Sequence, residues 1–323
     1  METDHIIMNQ NSKSQNSADS FEQGVVNRLA QEILAEQRRA RRWGVFFKSL
    51  LALYLFVLLV IYLAGDMGAG PIAVGKHTAL IEINGVISPD SEARADYIVT
   101  GLRDAFENND TAGVILRINS PGGSPVQAGY VSDEIARLRE KYPDIPLYAV
   151  ISDICASGGY YIAAAADKIY ANKASIVGSI GVIMASFGFV DAIDKLGIQR
   201  RLFHAGENKG FMDPYSPLRA EDVAHADTML AQIHQQFIDV VRKGRGERLK
   251  QDAQLFSGLI WTGEQSLELG LVDALGSASY VAREVIGAED IVDFTKRESV
   301  FDRFANRIGA KIAEKLTTSF ELR

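Results

Sequence analysis

Two glycine-rich turns carry the residues best suited to chemistry. One is Ser120-Pro-Gly-Gly-Ser124, directly after an apolar run. The other is Ala156-Ser-Gly-Gly159, between a second apolar run and a helical pattern. A serine at a strand-to-helix turn can act as a nucleophile. Backbone N–H groups are unpaired there, and the helix dipole favours negative charge. The N–H of Gly158 is then placed to receive an oxyanion, and Gly123 can supply a second donor from a neighbouring strand end. Paired donors of this kind serve acyl transfer. The alternative is that Ser157 only caps a helix and the glycines only permit tight turns.

A serine nucleophile needs a base. The five histidines (His5, His77, His204, His225, His234) show no metal-ligand spacing, and none is signalled as a catalytic partner. A lysine can serve if burial keeps it neutral. Lys209 is the best candidate by position, in the polar, turn-rich stretch Ala205-Gly-Glu-Asn-Lys-Gly-Phe-Met-Asp-Pro214. A solvated loop lysine is the competing reading.

Other chemistries lack their motifs. The chain has no G-x-S-x-G elbow, no G-x-x-x-x-G-K-[ST] loop and no H-E-x-x-H helix. Its one cysteine, Cys155, excludes a disulfide framework and a multi-cysteine metal site. No cofactor and no metal are expected. The charge of −7, from 34 basic and 41 acidic side chains, argues against a nucleic-acid partner.

The mean hydropathy of +0.00 is high for a chain with 23% charged residues, so apolar residues must be concentrated somewhere. They lie in Ser49–Ala64, sixteen residues without a charge. Extended from Trp43 to Gly65, the run has 23 residues broken only by Lys48, which can snorkel. A helix of that length spans a hydrocarbon core of roughly 30 Å. It starts too far from the N-terminus for a cleaved signal peptide. Arg38, Arg39, Arg41, Arg42 and Lys48 precede or open the span, whereas Asp66 and then Lys76 come after it. The positive-inside rule therefore places the N-terminus in the cytoplasm and the bulk outside, which in a bacterium means the inner membrane and the periplasm or exterior.

Beyond the span, strands and helices alternate. Ala79–Ile83, Gly113–Ile118 and Pro146–Ile151 read as strands. Ile98–Asn108, Ala128–Lys141 and Ala220–Lys243 read as helices. That rhythm predicts an α/β fold with a mostly parallel sheet.

The residues that stand out also resemble a known family, the signal peptide peptidase A (SppA) family, peptidase family S49, in its short single-domain form. The resemblance covers about residues 78–290. It rests on Ile118-Asn-Ser-Pro-Gly-Gly123, Ala156-Ser-Gly-Gly-Tyr-Tyr-Ile162, Ala166-Asp-Lys-Ile169, Val177-Gly-Ser-Ile-Gly-Val-Ile183 and Trp261-Thr-Gly-Glu-Gln-Ser-Leu-Glu-Leu-Gly-Leu-Val-Asp273. It implies a Clp-protease/crotonase-like spiral of ββα units behind one transmembrane helix. It implies Ser157 as nucleophile, Lys209 as general base, Ser179 as the hydroxyl that orients Lys209, and Gly123 and Gly158 as the oxyanion hole. It also implies a membrane-anchored serine endopeptidase acting on cleaved signal peptides and other apolar segments, and a homo-oligomeric ring with active sites shared between subunits. One departure is visible: Gly258-Leu-Ile-Trp261 stands where members often carry Gly-Arg-Val before the aromatic residue. A crotonase-like acyl-CoA enzyme and an inactive membrane scaffold remain as alternatives.

The expected organisation is a cytoplasmic, partly disordered tail (1–42), the span (43–65), a linker (66–77), the catalytic domain (78–295) and an amphipathic C-terminal helix (296–323). In that last stretch Val300, Phe304, Ile308, Ile312 and Leu316 recur at helical spacing among Arg303, Arg307, Lys311 and Lys315.

Overall fold

The computed structural model describes residues 36–39, 41–60 and 75–298. The expected disordered tail (1–24), the last residues of the span (61–65), most of the linker and the C-terminal amphipathic pattern lie outside the described residues. The chain divides into two units, Met1–Ala69 and Gly70–Arg323.

In the first unit, helix α1 runs Glu36–Val60, 25 residues with a mean hydropathy of 2.1 over its most apolar window. It starts before the apolar run because Arg38, Arg39 and Arg41 are good helix formers. Among the described residues it is the one helix long and apolar enough to cross a membrane.

The second unit is an α/β fold on a mostly parallel sheet. Strand β1 (His77–Asn84), helix α2 (Ala95–Glu107), β2 (Thr111–Ser120), α3 (Pro125–Lys141) and β3 (Leu147–Ala156) make two successive crossovers. After β3 come α4 (Gly158–Ala163), β4 (Lys168–Ala171), β5 (Ile176–Gly178), α5 (Val190–Lys195) and α6 (Ala220–Arg245). The last described elements are β6 (Ile260–Thr262), α7 (Gly263–Glu268), β7 (Ala274–Leu275), α8 (Ala278–Tyr280) and β8 (Ile291–Asp293). The sheet order is β6-β5-β3-β2-β1-β8, with β4 also on β3 and β7 on β4. Among the described residues only the β5–β6 pair is antiparallel.

The central strands carry apolar residues on both faces over most of their middle stretch because both faces are covered. Ile81, Ile83, Leu116, Ile118, Ala149 and Ile151 pack under α2, α3 and α4. Leu80, Ile115, Val150 and Tyr170 pack on the other face against Val281 and Ala282. Val114, Leu116 and Ile118 lie opposite Leu147, Ala149 and Ile151 in register.

Two local irregularities shape the end of the sheet that carries the glycine turns. Strand β3 forks: Tyr148–Val150 pair with β4, whereas Ile154–Ala156 pair with β5. The β2–β3 register also slips between Ile118 and Ser120, so that Ser120 meets Cys155. The fork and the slip bring the ends of β2, β3 and β5 to one place. Ser124 then caps α3, its side chain accepting from the Gln127 N–H, with Pro125 in the first turn. The pattern of α4 is shorter than the sequence implies, because the chain turns after Ala163 to begin β4.

A buried ion pair ties the C-terminal end of α6 to the sheet. The Arg245 side chain has no solvent exposure and meets Asp273 at 2.7 Å. Its Nε–H donates to Gly270 O at 3.0 Å. Asp273 also accepts from the Ile169 N–H at 2.7 Å and pairs with Arg248 at 3.2 Å. Burial pushes the Asp273 carboxyl upward, but the Arg245 and Ile169 hydrogen bonds and the two guanidinium charges outweigh it and hold the pKa below the usual carboxylate range. A depressed folded-state value means that this stabilisation is complete above about pH 4 and drains as pH falls through the folded value. Asp273→Ala leaves a buried guanidinium without its carboxylate and is expected to cost about 3–5 kcal/mol, read as a lower urea midpoint at neutral pH. The variant's deficit should shrink as the pH is lowered below 4; a deficit that stays constant into acid contradicts the assignment.

Candidate active site

The ends of β2 and β3 meet backbone to backbone. After Ser120 the chain turns through Pro121, Gly122 and Gly123, the glycines at φ 101° and 152°. Ser120 Oγ donates to Gly85 O at 2.6 Å and accepts from the Gly122 N–H at 3.1 Å. Gly123 bridges Ile87 in parallel. The bonds of that bridge run from the Ile87 N–H to Gly122 O and from the Ser124 N–H to Ile87 O, so the Gly123 N–H is left over.

Neither glycine has room for a side chain. A Cβ on Gly122 would lie 2.7 Å from Ser157 Cβ and 2.8 Å from Gly158 N. A Cβ on Gly123 would overlap the Ile87 carbonyl. A Cβ on Gly158 would lie 3.3 Å from Gly123 N. The two turns are thus in direct backbone contact.

Ser157 occupies the junction of β3 and α4 at φ 51°, ψ −122°, a region a side chain rarely adopts. Its N–H donates to Gly178 O at 2.8 Å, and its carbonyl accepts from the Tyr161 N–H at 2.9 Å. Its side chain makes no cap bond to α4. A cap would have used the Oγ; here it is free of described partners. Gly158 is the first residue of α4, where an N–H has no intrahelical acceptor. Two unused N–H donors therefore flank a free hydroxyl.

Ser179 follows the residue that holds Ser157. It too has a positive φ, 52°, and its N–H donates to Leu259 O at 2.7 Å. Ser157 and Ser179 line one cavity of about 830 Å³ together with Gly123 and Gly158. Its walls are α3 (Val126, Tyr130, Asp133) and α6 (Ile233, Gln236, Phe237), with Tyr161 and Ile183 alongside. The Tyr161 and Phe237 rings lie 5.2 Å apart. Burial pushes the Tyr161 hydroxyl pKa up, and the Asp133 charge adds to the effect. Cys155, two residues before Ser157 on β3, is fully buried, and burial pushes its thiol pKa up, so it packs as a neutral group. A larger, more open hollow of about 1040 Å³, bounded by Ile193, Arg200 and Tyr215, includes neither glycine turn.

Lys209 is not brought to this cavity. It is exposed, in a turn where its N–H donates to Gly206 O at 3.1 Å. The cavity lining includes no histidine; His234 instead contacts Ile180 O at 3.2 Å through Nε2. The stretch carrying Lys209 has an unusual character: from residue 181 to 221 no side chain is buried. Phe203, Ile183, Phe187 and Leu196 are 91%, 89%, 80% and 73% exposed. This arm holds together by its own contacts, including the Phe189 N–H to Pro214 O at 2.7 Å and a Phe189–Tyr215 stack.

Sequence pattern alone does not single out the groove walls. On α3 the residues Val131, Ile135 and Leu138 mark the core face, whereas Val126 and Tyr130 lie on the opposite side and stay more than half exposed. The available signal is an apolar i, i+4 pair on a face otherwise polar.

The chain was compared with known proteins. The profile described as Peptidase family S49 matches residues 139–290. A Brucella abortus protein named Na(+)/H(+) antiporter NhaA is 42% identical over 186 residues, 58% of this chain; the chain spans a quarter of that relative's length. Protease 4 of Haemophilus influenzae is 30% identical over 71% of this chain and 37% of its own. A protein of Enterococcus faecium named after signal peptide peptidase SppA is 32% identical over 262 residues, 76% of each chain. The glycine turns, the parallel sheet and a match of that extent agree, and the chain belongs to peptidase family S49, the signal peptide peptidase A family.

Proposed function

We propose that this chain is a membrane-anchored serine endopeptidase with a Ser157–Lys209 dyad. The observation that carries the reading is the free Ser157 hydroxyl, held at φ 51° between the unused N–H groups of Gly123 and Gly158. Neutral Lys209 takes the proton as Ser157 Oγ attacks a peptide carbonyl. The Gly123 and Gly158 N–H groups bear the developing oxyanion. The lysine ammonium then protonates the leaving amine, and water releases the acyl group. Ser179, joined to Ser157 through Gly178, orients the amine.

The exposed position of Lys209 supports a shared site. A lysine within an arm that has no buried side chain gains a desolvated setting when the arm lies on another copy of the chain. Exposed apolar residues in such number mark an interaction surface. A ring of copies, each lending its lysine to a neighbour's serine, accounts for both features. The largely apolar groove fits extended apolar segments such as cleaved signal peptides, and α1 keeps the site near the membrane with the N-terminus in the cytoplasm. An acyl-CoA enzyme could use the same paired N–H groups; thioester hydrolysis without peptide cleavage would favour it.

The dyad is tested with the full chain in detergent and a fluorogenic apolar peptide. Ser157→Ala and Lys209→Ala are each expected to lose about 10³-fold or more in kcat/KM. Full activity in either variant sinks the dyad. Co-assembling the two dead variants is expected to restore about a quarter of wild-type activity, since one site in four then pairs an intact serine with a neighbour's lysine. No recovery places both residues within one chain. Strain at the nucleophile gives an independent check. Ser157→Gly relieves the positive φ and is expected to be about 1 kcal/mol more stable than Ser157→Ala, measured by thermal unfolding.

A further inference from the structure

We propose that Asp133 forms a charge-selective subsite of the groove that takes a lysine or arginine side chain of the bound peptide. The inference rests on the peptidase reading above and adds a selection that an apolar groove alone would not make.

Asp133 is the one charged side chain among the residues that line the cavity. Its neighbours do not neutralise it. The nearby arginines are committed to Glu134, with Arg137 at 2.6 Å and Arg103 at 2.7 Å. The Arg137 hydrogen bond foremost, against opposing burial, holds the Glu134 carboxyl down to about 2. Asp133 itself has no ion pair or hydrogen bond among the described residues, and Tyr161, which also lines the cavity, is close enough for that charge to add to the upward push of burial on its hydroxyl.

The position sets the register. Val126, Gly129, Tyr130 and Asp133 share one face of α3 and line the cavity. Val126 starts just after the Gly123 turn, and seven helical residues to Asp133 advance about 10 Å. Three extended residues of substrate cover that distance, at about 3.3 Å each. A cation there lays its alkyl stem on Tyr130 and its head at the carboxylate, within reach of an aromatic face. An acidic residue at the same position meets like charge.

The test uses the full chain in detergent at low ionic strength. A single lysine, then a single glutamate, is scanned through an otherwise apolar fluorogenic peptide, one position at a time on both sides of the scissile bond. One position about three residues from that bond is expected to show kcat/KM about tenfold higher for lysine than for glutamate, because attraction and repulsion each contribute about threefold. Asp133→Asn is expected to bring that ratio to within twofold, and Asp133→Glu to retain the order. A ratio near one at every position, or a preference unchanged in Asp133→Asn, overturns the inference. Absence of any Ser157-dependent cleavage overturns the peptidase reading instead. In that event binding of the lysine and glutamate peptides to Ser157→Ala, read by anisotropy, decides the subsite alone: equal affinities overturn it, and a lysine preference lost in the Ser157→Ala, Asp133→Asn double variant supports it.

Discussion

The second unit of this protein is arranged around a close approach of two backbones. The Gly122–Gly123 turn and the Ser157–Gly158 junction touch at distances that leave no space for a Cβ on the glycine side. Everything around them serves that approach. The register slip after Ile118 turns the end of β2 toward β3, and the bridge to Ile87 pins Gly123 from the opposite side. The fork of β3 frees its last residues to pair with β5, whose Gly178 carbonyl holds the Ser157 N–H. A strained φ at Ser157 persists because its backbone bonds to Gly178 and Tyr161 and the packed Gly122 turn determine it together.

Much of this is readable from the residues alone. The three apolar runs are strands because both of their faces are covered, and a continuous run of β-branched residues has no other stable place in an α/β fold. Ser-Pro-Gly-Gly and Ala-Ser-Gly-Gly stand out because glycine pairs after buried strands signal close backbone contact. The helix patterns of α2, α3 and α6 are visible by period. The strands β5 to β8 have two or three residues each, too short for a period to show. They form through partners far along the chain: β8 on β1, and β7 on β4. The buried Arg245–Asp273 pair is invisible for the same reason, since its 28-residue separation carries no local signal.

The groove illustrates another limit. Sequence periodicity finds the face of a helix that enters the core. It does not separate a solvent face from a face that walls a cavity, because both mix polar and apolar residues. Val126, Tyr130 and Asp133 on α3, and Ile233 and Gln236 on α6, acquire meaning only when the two helices stand across from each other. The lysine presents the opposite case. The family resemblance proposes Lys209, whereas within one chain it stands exposed and outside the cavity that Ser157 lines.

The arm from 181 to 221 also divides the molecule energetically. The sheet and its helices bury a continuous core, whereas the arm buries no side chain in its own chain. Opening it exposes only half-buried apolar side chains, so its local opening free energy is expected to be smaller than that of the sheet. Its amides exchange with solvent on their own schedule, and a cut within it leaves the sheet intact. The order of this segment rests on its own contacts, and under the proposed shared site its protection from exchange would rise on assembly.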